Sequence, residues 1–286
     1  MLPHQPFYRP LRQVPLVAVP SPESNGLHFY CGTYSAQSQS VGAASRLLIC
    51  FTPVVECSSP PVVERTASVL LNGLAYHNVP FTMVNISPLL SHSIKNYFAI
   101  WDEVIPTKVG VCVVEAAKAT EDELLSSFDE SAPYTIKREN TEALVKAHFS
   151  EADEAIVENF QVSLVCPLTK RKIRVPCRGT HCQHTQCFDA CAYLALNEGT
   201  MHPSWRCPVC RDQVLLQDIR IDLFTLDVLR KADDQCSTVN LLPNGSWVSV
   251  TDYDDHTAIV IEDSPVKETE RMLHNSSVID LTVDSD

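Results

Sequence analysis

Along the first half of the chain the apolar residues come in short runs of strand length. LHFYC (27–31), SRLLICF (45–51), TASVLL (66–71), LAYHNV (74–79), NYFAIW (96–101) and VGVCVVE (109–115) are parted by polar or Pro-containing breaks. Such runs, rich in β-branched and aromatic residues, predict strands. Asn72-Gly73 sits between two of them, and because both residues tolerate the positive φ of a type I′ turn it predicts a hairpin. The succession predicts an antiparallel β-sandwich.

The pattern then turns helical. Thr120 and Glu123 have capping-box spacing ahead of LLSSF, and Thr141 and Ser150 are placed to cap two further short helices with Leu144, Val145, Ala155, Ile156 and Val157 as their apolar positions. These helices are expected to pack between the sandwich and the segment that follows. Farther on, LLQDIRIDLFTLDVLR (215–230) carries Leu215, Ile219, Leu223, Leu226 and Leu229 at helical spacing, which predicts a helix. Residues 1–26 hold Pro at 3, 6, 10, 15, 20 and 22 and show neither periodicity, so a disordered arm is expected.

The expected class is therefore α+β and multidomain. A Pro-rich arm spans 1–26, a β-sandwich with trailing helices 27–150, a cysteine-rich α+β module 151–232 and a C-terminal extension 233–286. Apolar residues make up 45% of the 286 and charged ones 20%, enough to build cores. Nowhere does an apolar stretch approach the roughly 20 residues of a membrane span, and the prolines interrupt any secretion signal. A cytosolic or nuclear protein is expected.

Charge separates the chain further. Net charge is −13, yet Cys166–Arg211 holds 7 basic and 2 acidic residues while Thr251–Asp286 holds 10 acidic and 2 basic. The overall balance does not support DNA binding as the main task, which needs a surplus of Lys and Arg. The acidic tail suits a partner with a basic groove.

Of 12 cysteines, seven fall between Cys166 and Cys210. Without a secretory context they point to metal rather than disulfides. Cys31, Cys50, Cys57 and Cys112 lack ligand spacing and are expected to be core thiols. Cys182-x-His184, then 22 residues, then Cys207-Pro-Val-Cys210 supplies three thiolates and an imidazole for one tetrahedral Zn2+. Four protein ligands leave no open position, so the ion is expected to be structural. A RING cross-brace needs a second site, but Cys166 is followed at ligand spacing by Thr169, and Cys187 by Ala190. Either Cys166 and Cys187 are core residues, with Thr169 a hydrogen-bond partner, or Cys177 and Cys191 join them in an irregular all-cysteine site.

VSLVCPL (162–168), PCR (176–178), CQHTQCFD (182–189), YLALNE (193–198) and WRCPVC (205–210) resemble the SP-RING (Miz-type) zinc finger of the PIAS/Siz family of SUMO ligases. Upstream, SRLLICFTPVVEC, SVLLNG, VNISPLL (84–90) and NYFAIW resemble that family's PINIT domain, with VNISP in place of the eponymous sequence. The resemblance implies a RING-like module with a single zinc and no nucleophile of its own, which docks a SUMO-charged conjugating enzyme (E2). By resemblance Leu168 and Pro208 face the E2, although Leu168 has core packing as its alternative. Trp205 is placed either to cover the zinc site or to join the docking surface. Arg211 follows the last ligand, where many ubiquitin-type RING proteins carry a bridging basic residue; simple solvation is its alternative.

The stretch KRKIRVPCR (170–178) is expected to be a strand with a charged face, with a partner-facing strip or a nuclear signal as alternatives. In the tail, Val278, Ile279, Leu281, Val283 and Asp284 resemble a SUMO-interacting motif, which adds as a strand to a sheet edge; Ile259, Val260 and Ile261 form a second candidate. The expectation is a nuclear SUMO-protein ligase whose partners are the SUMO E2, SUMO and substrate proteins. A ubiquitin RING-type ligase and a non-catalytic, zinc-containing SUMO-binding adaptor are the alternatives.

Overall fold

The structure is a computed structural model that describes residues 5–20, 28–35, 45–53, 66–91, 95–101, 109–128, 133–151 and 160–250. Strands β1 (Tyr8–Val14), β2 (Leu16–Pro20), β3 (His28–Tyr34), β4 (Ser45–Pro53), β5 (Thr66–Leu71), β6 (Leu74–Pro80), β7 (Val84–Asn85), β8 (Asn96–Trp101) and β9 (Val109–Lys118) come first. They form two antiparallel sheets, ordered β1-β9-β4-β7 and β2-β3-β8-β5-β6, which is the expected sandwich. Asn72 (φ 50°) and Gly73 (φ 88°) turn β5 into β6 with Leu71 opposite Leu74, as the Asn-Gly signal predicts.

The near-continuous apolar character of β4 and β9 has a packing cause. Leu47, Ile49, Phe51 and Val113 face the second sheet, whereas Leu48, Cys50, Cys112 and Val114 face the cysteine-rich module. This sheet is thus buried on both faces, and strict polar alternation is lost. Cys50 and Cys112 lie opposite each other in register, both buried, as core thiols. Cys31 is half-buried, and Cys57 lies outside the described residues.

The N-terminal segment corrects the expectation of an arm. Tyr8–Val14 and Leu16–Pro20 are edge strands of the two sheets, anchored by Phe7, Tyr8 and Val14 in the core. Edge positions tolerate prolines because one side of the strand need not donate hydrogen bonds, and a register shift between Pro10 and Arg12 absorbs the first. With only a few anchoring residues per strand, proline density hid the pattern.

Helix α1 (Glu121–Ser127) starts at the capping box of Thr120 and Glu123. After β10 (Thr135–Ile136), one helix, α2 (Arg138–Glu151), runs through Thr141 and Ser150, so neither is a cap. Thr141 instead donates its hydroxyl to Asp222 at 2.6 Å, and Ser150 bonds back to the Lys146 carbonyl. The expected helix of Ala155, Ile156 and Val157 falls outside the described residues.

The cysteine-rich module contains β11 (Phe160–Ser163), β12 (Pro176–Gly179), β13 (Phe188–Asp189), α3 (Ala190–Glu198), β14 (Ile219–Asp222), α4 (Leu223–Lys231), β15 (Thr238–Leu241) and β16 (Trp247–Ser249). One sheet is ordered β10-β14-β12-β13, another β11-β15-β16. The helix expected over 215–230 is only half helical. Ile219 and Ile221 alternate into the core as a strand between β10 and β12, and the helix starts at Leu223 behind the N-cap Asp222. The strand expected over 170–178 shrinks to β12 and a single bridge at Lys172.

Two boundaries move. Val145 of α2 packs with Phe224, Val228, Val239 and Leu241, which places α2 on the finger rather than the sandwich. Pairing of β15 with β11 extends the module from 232 to 250. The tail, 251–286, lies outside the described residues, and with it both SUMO-interacting candidates.

Candidate metal centre

Cys182, His184, Cys207 and Cys210 come together with all four ligand atoms within 4.8 Å of one another. The Cys182 and Cys210 sulfurs are 3.9 Å apart, and His184 Nε2 is 3.3 Å from Cys207 Sγ. Bonds of about 2.1–2.3 Å place the corners of a zinc tetrahedron roughly 3.4–3.8 Å apart, so the set fits one Zn2+. His184 donates Nδ1–H to the Gln186 carbonyl at 2.8 Å, which aims the Nε2 lone pair inward, the outer-shell arrangement that metal-bound histidines adopt. A hydrogen bond from Cys182 pulls the Cys207 thiol down to about 3 against the upward push of burial, with His184 and the Val209 and Cys210 amides helping. Cys182 is driven up in return. Such a shared-proton cluster favours a divalent cation, which at this site supplies a cross-link and no open coordination position.

The backbone explains how the ligands are held. Around Cys207, the Cys207 amide bonds the Asp212 carbonyl, Arg211 N bonds Cys207 O, and Val214 N bonds Trp205 O. Forty-one residues earlier the same three bonds recur: Cys166 N to Arg171 O, Lys170 N to Cys166 O and Ile173 N to Leu164 O. The bridges Val165–Lys172 and Arg206–Gln213 match, as do the positive φ angles of Lys170 (57°) and Arg211 (70°). The module therefore has two knuckles of one backbone design, 164–173 and 205–214.

Only the second knuckle carries ligands. Among the described residues, the four named above are the one group of metal-ligating side chains drawn together, so an irregular site with Cys177 and Cys191 does not form. Cys166 Sγ accepts the Asp189 amide at 3.3 Å, and Cys187 Sγ lies 3.3 Å from Thr225 Oγ1. Thr169 is not the partner of Cys166; its hydroxyl accepts from the Arg171 amide. Asp189 holds this half together: one carboxylate oxygen caps α3 through Ala192 N, and the other accepts from Arg174 N and Val175 N.

Behind Cys187 lies a fully buried ion pair. Arg178 reaches Asp222 at 2.6 Å, Thr141 Oγ1 at 2.7 Å and the His184 carbonyl at 2.6 Å, and Asp222 also accepts from Thr225 N. With side chains 1% and 0% exposed, Arg178 belongs to the core and not to a charged strand face. The pair ties α2, β12 and the start of α4 to the loop that carries the ligand His184.

The candidate docking residues divide. Leu168 and Pro208 are half-buried on the two knuckle tips, and Val209, the structural counterpart of Leu168, is exposed. Arg211 is exposed directly after the last ligand. Trp205 is 1% exposed and packs edge-on against Tyr193; it shapes the second knuckle from inside, which corrects its placement on the docking surface.

Sequence reasoning missed Glu198, at the end of α3. Its carboxylate is paired with Arg46 at 3.1 Å and Lys118 at 2.9 Å, and it accepts a hydrogen bond from Tyr8, all from the sandwich. Burial first, then Glu198, holds the Tyr8 hydroxyl well above its ordinary range, so it stays a donor. Met201 follows into the sandwich core, and His202 donates to the His77 carbonyl at 2.7 Å. Three partners contributed from residues 8, 46 and 118 leave no local pattern. Asp189 and Asp222 were detectable, since each is an acid immediately before a helix.

These features define a RING-type zinc finger with one metal, seated on a β-sandwich. Residues 162–213 match the MIZ/SP-RING zinc finger family, zf-MIZ, and the resemblance to PIAS/Siz-type proteins drawn from the motifs is borne out. The chain is 29% identical over 223 residues to the E3 SUMO-protein ligase PIAS3 of Rattus norvegicus, covering 72% of this chain and 35% of that protein. It is 35% identical over 128 residues to the E3 SUMO-protein ligase pli1 of Schizosaccharomyces pombe, covering 40% and 17%. A crystal structure of the S. cerevisiae SUMO E3 ligase SIZ1 aligns over 87% of this chain and 93% of that one, at 19% identity and a TM-score of 0.47. The chain thus spans about a third or less of the length of these curated relatives.

Proposed function

We propose that the chain is a SUMO-protein ligase that docks a SUMO-charged E2 and orients its thioester for attack by a substrate lysine. The observation that carries this reading is the metal-ligand set inside the MIZ/SP-RING match, with Pro208 and Arg211 on the turn that set holds and Leu168 on the matching turn of the knuckle braced by Asp189. The finger supplies no nucleophile. The lysine amine attacks the thioester carbonyl, the isopeptide bond forms, and the E2 thiol leaves. The ligase contribution is orientational, holding E2 and SUMO in a near-attack arrangement in place of a loose tether. Apolar residues on short turns suit the docking role because little side-chain entropy is lost on contact.

In this reading the sandwich acts as a PINIT-like substrate-selecting domain. Val278, Ile279, Leu281, Val283 and Asp284 hold SUMO, Ile259, Val260 and Ile261 form a second candidate segment, and the protein works in the nucleus. Single-turnover discharge of E2~SUMO and E2~ubiquitin tests it, using the wild type, Cys207→Ser and a truncation after Asn275. Faster SUMO discharge that is lost with Cys207→Ser and reduced by the truncation is the expected result. Response to ubiquitin alone reassigns the modifier. Response to neither, with zinc bound, leaves a SUMO-binding adaptor.

A further inference from the structure

A groove runs between α1, the metal-free knuckle and α4, and neither the zinc ligands nor Leu168, Pro208 and Arg211 line it. Its cavity is about 260 Å³, with Leu125, Ile173, Leu226 and Leu229 as an apolar floor. Lys172, Arg174 and Arg230 form the rim, and Asp234 is the single acid among the lining residues. This volume is below the roughly 300–1,000 Å³ of small-molecule pockets and suits one or two aliphatic side chains.

The charges on the rim are unequally compensated. Arg174 is paired with Glu121 and Asp122, which fastens α1 to the knuckle. Lys172 donates to the neutral carbonyls of Asp233 and Asp234, at 2.7 and 3.2 Å. Lys170, Arg171 and Arg230 are exposed and make no ion pair among the described residues. An occupant must therefore bring aliphatic anchors and negative charge together. No aromatic side chain lines the groove on which a base could stack, which disfavours single-stranded nucleic acid.

We propose that this groove docks an acidic segment of a partner protein, which inserts one or two aliphatic side chains over the floor while its carboxylates meet Arg230, Lys172 and the adjoining Lys170 and Arg171. The site does not depend on the ligase reading, since binding is measured without E2 or SUMO.

The test is fluorescence anisotropy of a labelled 12-residue peptide, two leucines three positions apart among Asp and Glu, against the full zinc-loaded chain. Saturable binding is expected, weakened about fivefold or more by Arg230→Glu, by replacing the peptide leucines with serine, and by raising salt. Arg230 is exposed, and unchanged zinc content of the variant separates loss of the site from loss of fold. Three results would overturn the proposal: equal affinity for the serine peptide, indifference to Arg230→Glu, or tighter binding of a 12-nucleotide single-stranded DNA. So would self-association in sedimentation velocity that Arg230→Glu abolishes while the peptide stays unbound, since the occupant would then be a second copy.

Discussion

The two knuckles of the finger share one backbone and differ in what holds them. Residues 205–214 contribute two thiolates to a metal set; residues 164–173 keep the same turn, the same three hydrogen bonds and the same left-handed residue without ligands of their own. In the metal-free half Asp189 anchors the loop backbone, Cys166 accepts an amide, and the Arg178–Asp222 pair ties the surrounding elements. A knuckle is thus a backbone solution that either a cation or a buried polar network can stabilise. The second needs more residues, drawn from α2, β12, β13 and β14.

Removing the metal separates the halves most strongly. One zinc per chain is expected by elemental analysis, none in Cys207→Ser, and one again in Cys166→Ala. The Cys207→Ser finger should unfold, because structural zinc contributes on the order of 10 kcal/mol in zinc-finger peptides, and loss of near-UV dichroism reads this out. Two zinc in the wild type would erase the difference between the knuckles.

Next comes the buried pair. Asp222→Ala leaves Arg178 charged in the core and should cost about 3–5 kcal/mol in urea unfolding. Replacing both partners with apolar residues of similar volume should cost much less, because the desolvation of two ions is then removed along with their attraction. Equal losses in the single and double variants would show that the pair does not act as a unit.

The smallest effect is in the thiols. Burial first, then Asp222, pushes Cys187 up from 9.0 to about 12. Its folded form therefore favours the neutral thiol, giving stability that is complete below pH 9 and lost between pH 9 and about 12 as the unfolded chain ionises first. Cys187→Ala should flatten part of the alkaline decline in stability between pH 9 and about 12.

How much was legible follows from how local each signal is. The Thr120–Glu123 capping box, the Asn72-Gly73 hairpin and the Cys182, His184, Cys207, Cys210 set each depend on a few residues of defined chemistry at short spacing, and all three appear as expected. The N-terminal strands did not read out, because their prolines are acceptable only at a sheet edge that other strands create. Ile219–Asp222 read as helix because Leu and Ile spacing satisfied a helical period; the open edges of β10 and β12 claimed it as strand. Arg178 read as a surface cation because its partners Asp222 and Thr141 lie 44 and 37 residues away.

The sequence alone determined the zinc ligands, the sandwich strands between residues 45 and 115, and the missing second ligand set, since metal chemistry and β propensity act through near neighbours. Only the tertiary structure decided that the metal-free knuckle keeps its turn, that Arg178 is paired inside the core, and that Glu198 is gripped by Tyr8, Arg46 and Lys118. Each of these is a buried charge or a backbone bond whose partner comes from another element. Burial and pairing of that kind exist only once the elements have packed.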